Sequence, residues 1–508
     1  MNTALGMGRR TFAGMSAGSL LLGLLRPSAA SAEAPQSATA AAPDAPAAAV
    51  KPLTVTPVSG YIGETFAVAG DGLPASAPVQ FLWVTADGEY STQVYSETIE
   101  FYERKYTEKR VLLGEAITDA EGRVAATFPV PDDYGEVHDL FAVVGGEDVA
   151  RGGYRILPEF VVSPLEGAVG TPITVKAKGI GIKVWENTWG VTYDNKYTGF
   201  ITAVTTRGTA AAGFRAAGPV GKHTIDIWHA GQAVPYINWE QSPQAHIPVF
   251  NVTFEVSKDG IAPPLTLEEP RGPAVTPATI AITTASSEVV GTSGSVSATI
   301  SPASGAVLSP VTLRATTLPA NTPINVIWAT ARGSRTSGLG WGLAEIPLGT
   351  VTTDRNGVLT LPFQIPDDLG GWHTVKLVKG DQILAEAAYR VQPNLVEVTP
   401  TRVKVGDPFQ IHIKGVGWTE LDNIYAVTYD NAYIGFACGF NSSGDMTVNL
   451  HASGAPGVHL IDFYPTVYQG HGKPPWLYDT PLLTFSDDHP GLALGYRLPA
   501  FRLAINVE

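Results

Sequence analysis

The sequence of 508 residues contains a single cysteine, Cys438, so no disulfide can form within the chain. Many small exported domains depend on disulfides, and domains without them must be held together by burial alone. Charged residues are also scarce, at 16%, and the formal net charge is −14. Such a chain lacks the basic patches that meet the phosphates of nucleic acid or an anionic membrane surface. We therefore expect neither of these partners.

Motifs of common catalytic and cofactor sites are missing as well. The sequence has no Gly-x-Ser-x-Gly, no His-Glu-x-x-His, no phosphate-binding loop and no Cys/His cluster with zinc-ligand spacing. Asp132-Asp133 and Asp367-Asp368 each follow a proline, and we expect solvated turn residues there rather than the facing carboxylates of a glycosidase. The sequence thus predicts no cofactor, no metal and no catalytic residue. A catalytic site built from scattered residues stays open.

Long apolar runs are absent too, which predicts no transmembrane span. The run from Ala13 to Leu25 is too short to cross a bilayer, and it follows Arg9-Arg10 and precedes the small residues Ala30-Ser31-Ala32. This pattern resembles a twin-arginine export signal over residues 1–32, with a general secretory signal as the alternative. Residues 33–51 are rich in Ala and Pro and are predicted to be a linker. We expect an exported protein that is periplasmic, secreted or held at the cell surface.

An internal duplication dominates the rest of the sequence. Val191-Thr192-Tyr193-Asp194-Asn195 recurs 236 positions later as Val427-Thr428-Tyr429-Asp430-Asn431, and the glycines and aromatic residues around it recur in the same register. Further upstream, Trp83 recurs as Trp328 at an offset of 245 and His138 recurs as His373 at an offset of 235. The first copy therefore has ten extra residues, which lie in the stretch around 101–106.

Each half divides again into two segments of roughly 100 residues, the size of an immunoglobulin-like sandwich. Three segments open alike at Pro57, Pro164 and Pro302, and the fourth opens more loosely at Pro400, without the glycine three residues later. An alternating strand pattern follows each opening. We predict an all-β chain of four tandem immunoglobulin-like β-sandwich domains, arranged as a duplicated pair. The predicted bounds are 52–157 for domain 1, 158–257 for domain 2, 296–392 for domain 3 and 393–488 for domain 4. Residues 258–295 are predicted to be a Pro/Thr/Ser-rich linker and 489–508 a C-terminal tail.

The opening proline, the spaced glycines and the strand that follows resemble the IPT/TIG group of immunoglobulin-like domains. The run Asp-x-x-Gly, Pro-Asp-Asp, Gly-x-x-His in domains 1 and 3 is similar to immunoglobulin-like repeats of bacterial surface proteins. The resemblance covers residues 52–257 and 296–487 and implies the fold. It implies little about function, since such domains occur in adhesins, in receptors and as accessory modules of polysaccharide enzymes.

Four histidines occupy equivalent positions after glycine turns: His138, His223, His373 and His459. We expect structural corner residues, comparable to the corner tyrosine of such sandwiches, and metal ligation is the alternative. Asp194-Asn195 and Asp430-Asn431 lie between apolar runs, and Asp87-Gly88 stands at the corresponding place in domain 1. These pairs predict hairpin turns.

The even-numbered domains carry long aromatic insertions between their last two strands, where domains 1 and 3 have short turns. Immunoglobulin-like scaffolds place this loop beside the loop after the second strand, and neighbouring loops with aromatic and polar groups form recognition surfaces. The alternative is that the aromatic residues fill gaps between domains. The predicted ligand-binding residues are Trp185, Asn187, Tyr236, Trp239, Trp418, Asn423, Tyr468, Trp476 and Tyr478. Because they follow the duplication, we expect the site once in each half.

The favoured function is an exported, non-catalytic binding or structural protein of the cell envelope. Its partner would be a polysaccharide or a cell-envelope protein, bound through the aromatic loops of domains 2 and 4. One alternative is an enzyme or accessory subunit that acts on extracellular polysaccharide. Another is a periplasmic metal-binding protein that uses His471, Asp479 and His489.

Overall fold

The structure of the chain is a computed structural model. It describes residues 50–94, 99–183, 186–230, 234–237, 249–258, 266–268, 296–334, 340–418, 423–439, 443–466, 480–484, 488 and 500–508. These residues form 33 strands and no helix. The predicted fold class, an all-β array of immunoglobulin-like sandwiches built as a duplicated pair, is confirmed. The predicted signal and the first linker lie outside the described residues, apart from Val50 and Lys51.

Domain 1 pairs a sheet in the order β5-β4-β7-β8 with a sheet in the order β1-β3-β6, and β1 also joins β8. Its strands are β1 (Lys51–Thr56), β2 (Ser59–Gly60), β3 (Thr65–Gly70), β4 (Pro78–Val94), β5 (Ile99–Ile117), β6 (Val124–Pro129), β7 (Glu136–Val144) and β8 (Glu147–Ile156). The hairpin β4–β5 is long because β4 runs straight through Asp87 and Gly88, which pair with Thr107 and Tyr106. The predicted turn at Asp87-Gly88 is therefore wrong.

Domain 2 has a five-stranded sheet, β10-β16-β15-β12-β13, over a three-stranded sheet, β14-β11-β9. The strands are β9 (Glu159–Ser163), β10 (Glu166–Gly167), β11 (Pro172–Lys178), β12 (Trp189–Tyr193), β13 (Lys196–Ile201), β14 (Ala210–Arg215), β15 (Gly221–His229) and β16 (Phe250–Val256). Asp194 and Asn195 form the β12–β13 turn with φ of 51° and 61°. The hairpin predicted at this pair is confirmed, and Asp430-Asn431 repeats it with φ of 47° and 62°.

Domain 3 repeats the same two-sheet plan, with sheets β19-β25-β24-β21-β22 and β18-β20-β23. A short strand of the intervening segment, β17 (Thr266–Glu268), precedes it. Its own strands are β18 (Ser297–Ser301), β19 (Ser304–Gly305), β20 (Pro310–Thr316), β21 (Pro323–Ser334), β22 (Gly340–Thr352), β23 (Leu359–Gln364), β24 (Gly371–Lys379) and β25 (Gln382–Val391). The hairpin β21–β22 is shorter than β4–β5 in domain 1, as the ten extra residues of the first copy require.

Domain 4 has sheets β17-β33-β32-β29-β30 and β26-β28-β31. Its strands are β26 (Asn394–Thr399), β27 (Arg402–Val403), β28 (Pro408–Lys414), β29 (Ile424–Tyr429), β30 (Ala432–Cys438), β31 (Met446–His451), β32 (Gly457–Thr466) and β33 (Ala500–Val507). The structure corrects the predicted end of this domain at residue 488. Strand β33 lies in the predicted tail, yet its apolar side chains complete the core, and β17 of the predicted linker pairs with it.

Each sandwich has an apolar core built by the inward residues of alternating strands, and the core of domain 2 also includes Tyr464, Leu482 and Leu483 of domain 4. The four opening prolines, at 57, 164, 302 and 400, all follow cis peptide bonds. The half-buried Cys438 ends β30.

The two domains of each half meet at equivalent glycines. Gly135 N donates to Ile180 O at 3.1 Å, and Gly370 N donates to Val416 O at 3.0 Å. A Cβ on Gly370 would lie 1.8 Å from the carbonyl oxygen of Gly415, so only glycine fits. The junction of domains 1 and 2 and that of domains 3 and 4 therefore share one geometry.

Candidate functional site

The predicted corner histidines form one repeated arrangement. Each Nε2 lies 2.7–2.8 Å from the carbonyl oxygen of the residue four positions earlier: Tyr134, Pro219, Leu369 and Ala455. All four rings are buried. These contacts support the structural role predicted for the histidines, because each ring ties the start of a strand to the turn before it.

The partner of the second ring nitrogen, Nδ1, differs between the odd-numbered and the even-numbered domains. Nδ1 of His138 and His373 faces the backbone oxygens of Val84 and Ala329 at 2.8 and 3.0 Å. Nδ1 of His459 instead lies 2.5 Å from a carboxylate oxygen of Asp430, and this hydrogen bond raises the pKa of His459. Burial, by contrast, lowers the pKa of His373.

The Asp-Asp pairs differ from the prediction of solvated turns. The first aspartate of each pair is exposed, but Asp133 and Asp368 are 1% and 0% exposed. Each buried carboxylate accepts a hydrogen bond at 2.9 Å from the indole of the tryptophan in its own domain, Trp83 or Trp328. A buried carboxylate requires such donors, so these residues serve the core.

The predicted ligand-binding residues are partly outside the described residues: Trp185, Trp239, Tyr468, Trp476 and Tyr478. Tyr236 is half-buried, and its ring lies 6.5 Å from that of His229. Trp418 is 6% exposed and packs against Ala331 and Leu369 of domain 3. It thus fills part of the junction between domains, the alternative role considered for the aromatic residues.

The equivalent asparagines of domains 2 and 4 have different surroundings. Nη1 of Arg104, on the long hairpin of domain 1, donates to Asn187 Oδ1 at 3.0 Å and to Thr188 Oγ1 at 2.7 Å. The Asn187 amide in turn donates to Ile182 O at 3.2 Å. Asn423 is 0% exposed, and neither its amide oxygen nor its amide nitrogen has a hydrogen-bond partner. We call the end of domain 2 that carries Asn187, and the end of domain 4 that carries Asn423, the loop pole of each domain. The chain itself supplies hydrogen-bond partners for the asparagine at the loop pole of domain 2 and supplies none at the loop pole of domain 4.

One cavity lies at the junction of domains 1 and 2, and another lies at the junction of domains 3 and 4. The cavity between domains 1 and 2 measures about 280 Å³ and is lined by Thr85, Tyr106, Glu108, Val137, His138 and Ile182, among others. The cavity between domains 3 and 4 measures about 50 Å³ and is lined by Thr330, Leu343, Trp372, His373, Thr374, Lys376, Glu386 and Trp418, among others. Val137 and Ile182 correspond to Trp372 and Trp418, so the indoles of the second copy take up space that is free in the first.

The two halves also pack on each other, which the sequence did not predict. Arg215 of domain 2 forms a buried ion pair with Asp462 of domain 4. The carboxylate of Asp488 accepts hydrogen bonds from Tyr90 Oη at 3.0 Å, Thr202 Oγ1 at 2.6 Å and Thr205 N at 2.9 Å. Asp488 thus ties the end of the domain 4 insertion to domains 1 and 2.

Among the residues that the structure describes, no group of three or more His, Cys, Asp or Glu side chains is placed to hold a metal ion. In the same part of the chain, no helix is long and apolar enough to cross a bilayer. The candidate metal ligands His471, Asp479 and His489 lie outside these residues.

No family model matches the chain, and no curated protein matches it. Among solved structures, it is similar to a Salmonella alpha-2-macroglobulin reacted with methylamine, at 11% identity and a TM-score of 0.17 over 88% of this chain and 30% of that one. It is also similar to the ICAM-5 D1–D4 ectodomain fragment, at 11% identity and a TM-score of 0.17 over 90% and 99%. Dimeric latent PorU from Porphyromonas gingivalis gives 13% identity and a TM-score of 0.16 over 66% and 32%. These values carry no functional argument, and the chain spans less than a third of the Salmonella protein.

Proposed function

We propose that the protein is an exported, non-catalytic scaffold of the cell envelope that binds a glycan at the loop pole of domain 4. Export by the twin-arginine route is part of the proposal and is supported by Arg9-Arg10 and the segment that follows. The observation that carries the binding site is the fully buried Asn423 amide, which has no hydrogen-bond partner.

A buried amide without a partner costs about 1–3 kcal/mol, so its retention calls for a compensating role. Asn423 stands at the start of β29, on the connection that also carries Trp418. The predicted residues Tyr468, Trp476 and Tyr478 follow β32, the strand that pairs with β29. Asn423 is 0% exposed, so a ligand hydroxyl or carbonyl satisfies this amide only when the residues that cover it move aside.

Domain 2 supplies the internal comparison. There the guanidinium of Arg104 donates hydrogen bonds to Asn187, so a side chain of the protein itself occupies the place that a ligand would take. Arg104 lies in the stretch with ten extra residues, which only the first copy has. We therefore propose that the duplicated pole binds ligand in domain 4 and serves as a domain contact in domain 2.

The buried ionisable groups support a scaffold rather than a catalyst. Asp133 and Asp368 bind tryptophans, Arg215 pairs with Asp462, and Asp488 accepts hydrogen bonds from domains 1 and 2. Each of these charges is used to hold the fold together. A binding role needs a rigid scaffold that holds the contact residues in place.

The test is a glycan array with the exported chain, followed by calorimetric titration of each glycan that is retained. Asn423→Leu removes the amide at similar volume and should weaken binding by roughly 5- to 100-fold, the equivalent of one lost hydrogen bond. Asn187→Leu is the matched control and should leave the affinity unchanged. Retention of no glycan, release of cleaved products, or equal affinity for Asn423→Leu and the unaltered chain would each overturn the proposal.

A further inference from the structure

The edge strand of domain 2, β13, is covered by a short segment of domain 4. Phe200 N donates to Pro481 O at 2.9 Å, Leu483 N donates to Phe200 O at 2.8 Å, and Leu482 thereby pairs in parallel with Phe200. Phe200 is 3% exposed, and both leucines belong to the core of domain 2. A Cβ on Gly199 would lie 2.6 Å from Pro481 O, so the glycine lets the segment approach closely. Domain 4 thus adds a short strand to the sheet of domain 2.

The equivalent edge strand of domain 4, β30, is exposed. Tyr197, Gly199 and Phe200 of β13 recur in β30 as Tyr433, Gly435 and Phe436, and both hairpins shift register at the same place. The backbone N–H and C=O of Phe436 therefore point away from β29, as those of Phe200 point away from β12. Phe436 is 51% exposed, and apart from chain neighbours no described atom lies within 4 Å of a Cβ on Gly435. The surface that is covered at Phe200 is thus open at Phe436.

The corresponding edge strands of domains 1 and 3, β5 and β22, differ from β30 in composition. β5 has many charged residues, and β22 contains Glu345 and Pro347. Charges and prolines on an edge strand are common means of preventing the addition of another strand. β30 has the sequence Ala-Tyr-Ile-Gly-Phe-Ala-Cys, without a charged residue or a proline. This edge is therefore suited to pairing with an extended segment.

We propose that β30 binds an extended, apolar segment of a partner protein by strand addition, in the way that β13 binds residues 481–484. The twin edge indicates the chemistry of that segment, which is a proline followed by two aliphatic residues. The backbone of Phe436 supplies one donor and one acceptor, and its ring supplies apolar contact together with Ile434, which is 48% exposed. A second copy of the chain is not the partner, because its residues 481–484 are bound to its own β13. The inference is independent of the proposed glycan site.

The test uses a fluorescent peptide with the sequence of residues 479–486, Asp-Thr-Pro-Leu-Leu-Thr-Phe-Ser, and the full chain. Fluorescence anisotropy should show saturable binding, and a peptide with aspartate in place of both leucines should not bind. Phe436→Lys should weaken binding about tenfold or more, because it removes the apolar ring and places a charge on the edge. Phe436→Leu keeps an apolar side chain and should retain most of the affinity. Val405→Lys, at another exposed apolar residue of domain 4, is the matched control and should bind like the unaltered chain.

Hydrogen exchange of the unaltered chain locates the bound peptide. Backbone amides of β30 should exchange more slowly in its presence, and those of β13 should not change, because their covering segment stays in place. No binding, equal binding by Phe436→Lys and the unaltered chain, or protection of β13 in place of β30 would each overturn the proposal. Sedimentation velocity provides one more outcome. Self-association that Phe436→Lys abolishes would assign the edge to a second copy of the chain and overturn the partner strand.

Discussion

Arg215 of domain 2 and Asp462 of domain 4 form an ion pair across the two halves of the chain, with side chains 4% and 2% exposed. The arginine Nε also reaches Asp462 Oδ2 at 3.3 Å, and its Nη2 donates to Leu503 O at 2.8 Å. Only the aspartate of the pair is duplicated, as Asp226, because His451 stands at the position equivalent to Arg215. The ion pair exists only because the two halves pack together, and it gives the protein a contact that no single half contains.

Breaking this ion pair should destabilise the folded protein, because the pair joins domain 2 to domain 4. Asp462→Asn leaves the guanidinium buried without its counter-charge and should lower the free energy of unfolding by about 3–5 kcal/mol. Replacing both partners, as Arg215→Met with Asp462→Leu, should recover much of the loss because no charge is then buried alone. Urea unfolding followed by tryptophan fluorescence measures both. A single variant as stable as the unaltered chain would show that the halves are not coupled through this contact.

The carboxylate of Asp488 should be equally important for the contact between the halves. It accepts hydrogen bonds from Val204 N at 2.9 Å and Thr205 Oγ1 at 2.8 Å in addition to those from Tyr90 and Thr202. Asp488→Ala leaves several buried donors unpaired and should cost about 3 kcal/mol or more. Limited proteolysis should then cut the variant faster near residue 488. The exposed Asp381→Asn serves as control, and equal cleavage rates for the two variants would contradict this role.

Gly370 should not tolerate any side chain. Its added Cβ would meet the backbone oxygen of Gly415, and backbone cannot move aside as a flexible side chain can. We expect Gly370→Ala to loosen the junction of domains 3 and 4 and to lower the melting temperature by several degrees, about 1–3 kcal/mol of strain. Gly342→Ala in the same domain, where the nearest atom is 4.0 Å away, should have little effect. Similar melting temperatures for both variants would argue against a tight junction.

Two equivalent histidines should respond to pH in opposite directions. The pKa of His459 is raised mainly by its hydrogen bond to Asp430, so the stability it contributes is present below about pH 6.5 and is lost as the pH rises through the folded-state pKa. The pKa of His373 is lowered by burial, so its contribution is present above about pH 6.5 and is lost as the pH falls.

Asp430→Asn should therefore lower stability at pH 6 more than at pH 8.5, and His373→Gln should remove part of the loss of stability below pH 6. Melting temperatures measured every half unit between pH 5 and 9 test both expectations. A constant difference between Asp430→Asn and the unaltered chain over this range would show that the pair does not titrate as described.

The sequence predicted those features that depend on local pattern or on the repeat. Asp194-Asn195 and Asp430-Asn431 turn as expected because their backbone needs positive φ, which asparagine and aspartate tolerate. The corner role of His138 and its three counterparts follows from their shared place after a glycine turn. The long β4–β5 hairpin was not predicted, because Asp87-Gly88 has the composition of a turn but lies within a paired strand.

Contacts between distant segments could not be predicted from the sequence. Asp133 can be buried because Trp83, fifty residues earlier, donates a hydrogen bond to it. The residues next to Asp133 in the sequence do not indicate that Trp83 is its partner. The sequence places β33 in the predicted tail, because a long insertion separates it from β32, the strand with which it pairs. Asn187 and Asn423 are equivalent in sequence, and the three-dimensional positions of Arg104 and of the carbonyl oxygen of Ile182 distinguish them.

The difference between these two asparagines is the central claim, and it is tested most directly by the free energy of unfolding of Asn187→Leu and Asn423→Leu, measured side by side without ligand. Asn187→Leu should lose about 1–3 kcal/mol, because Arg104 and Ile182 O lose their partner. Asn423→Leu should be as stable as the unaltered chain or more so, because a buried amide without a partner is replaced by an apolar side chain. An equal loss of stability in both variants would mean that Asn423 is a structural residue like Asn187, and the binding pole of domain 4 would lose its basis.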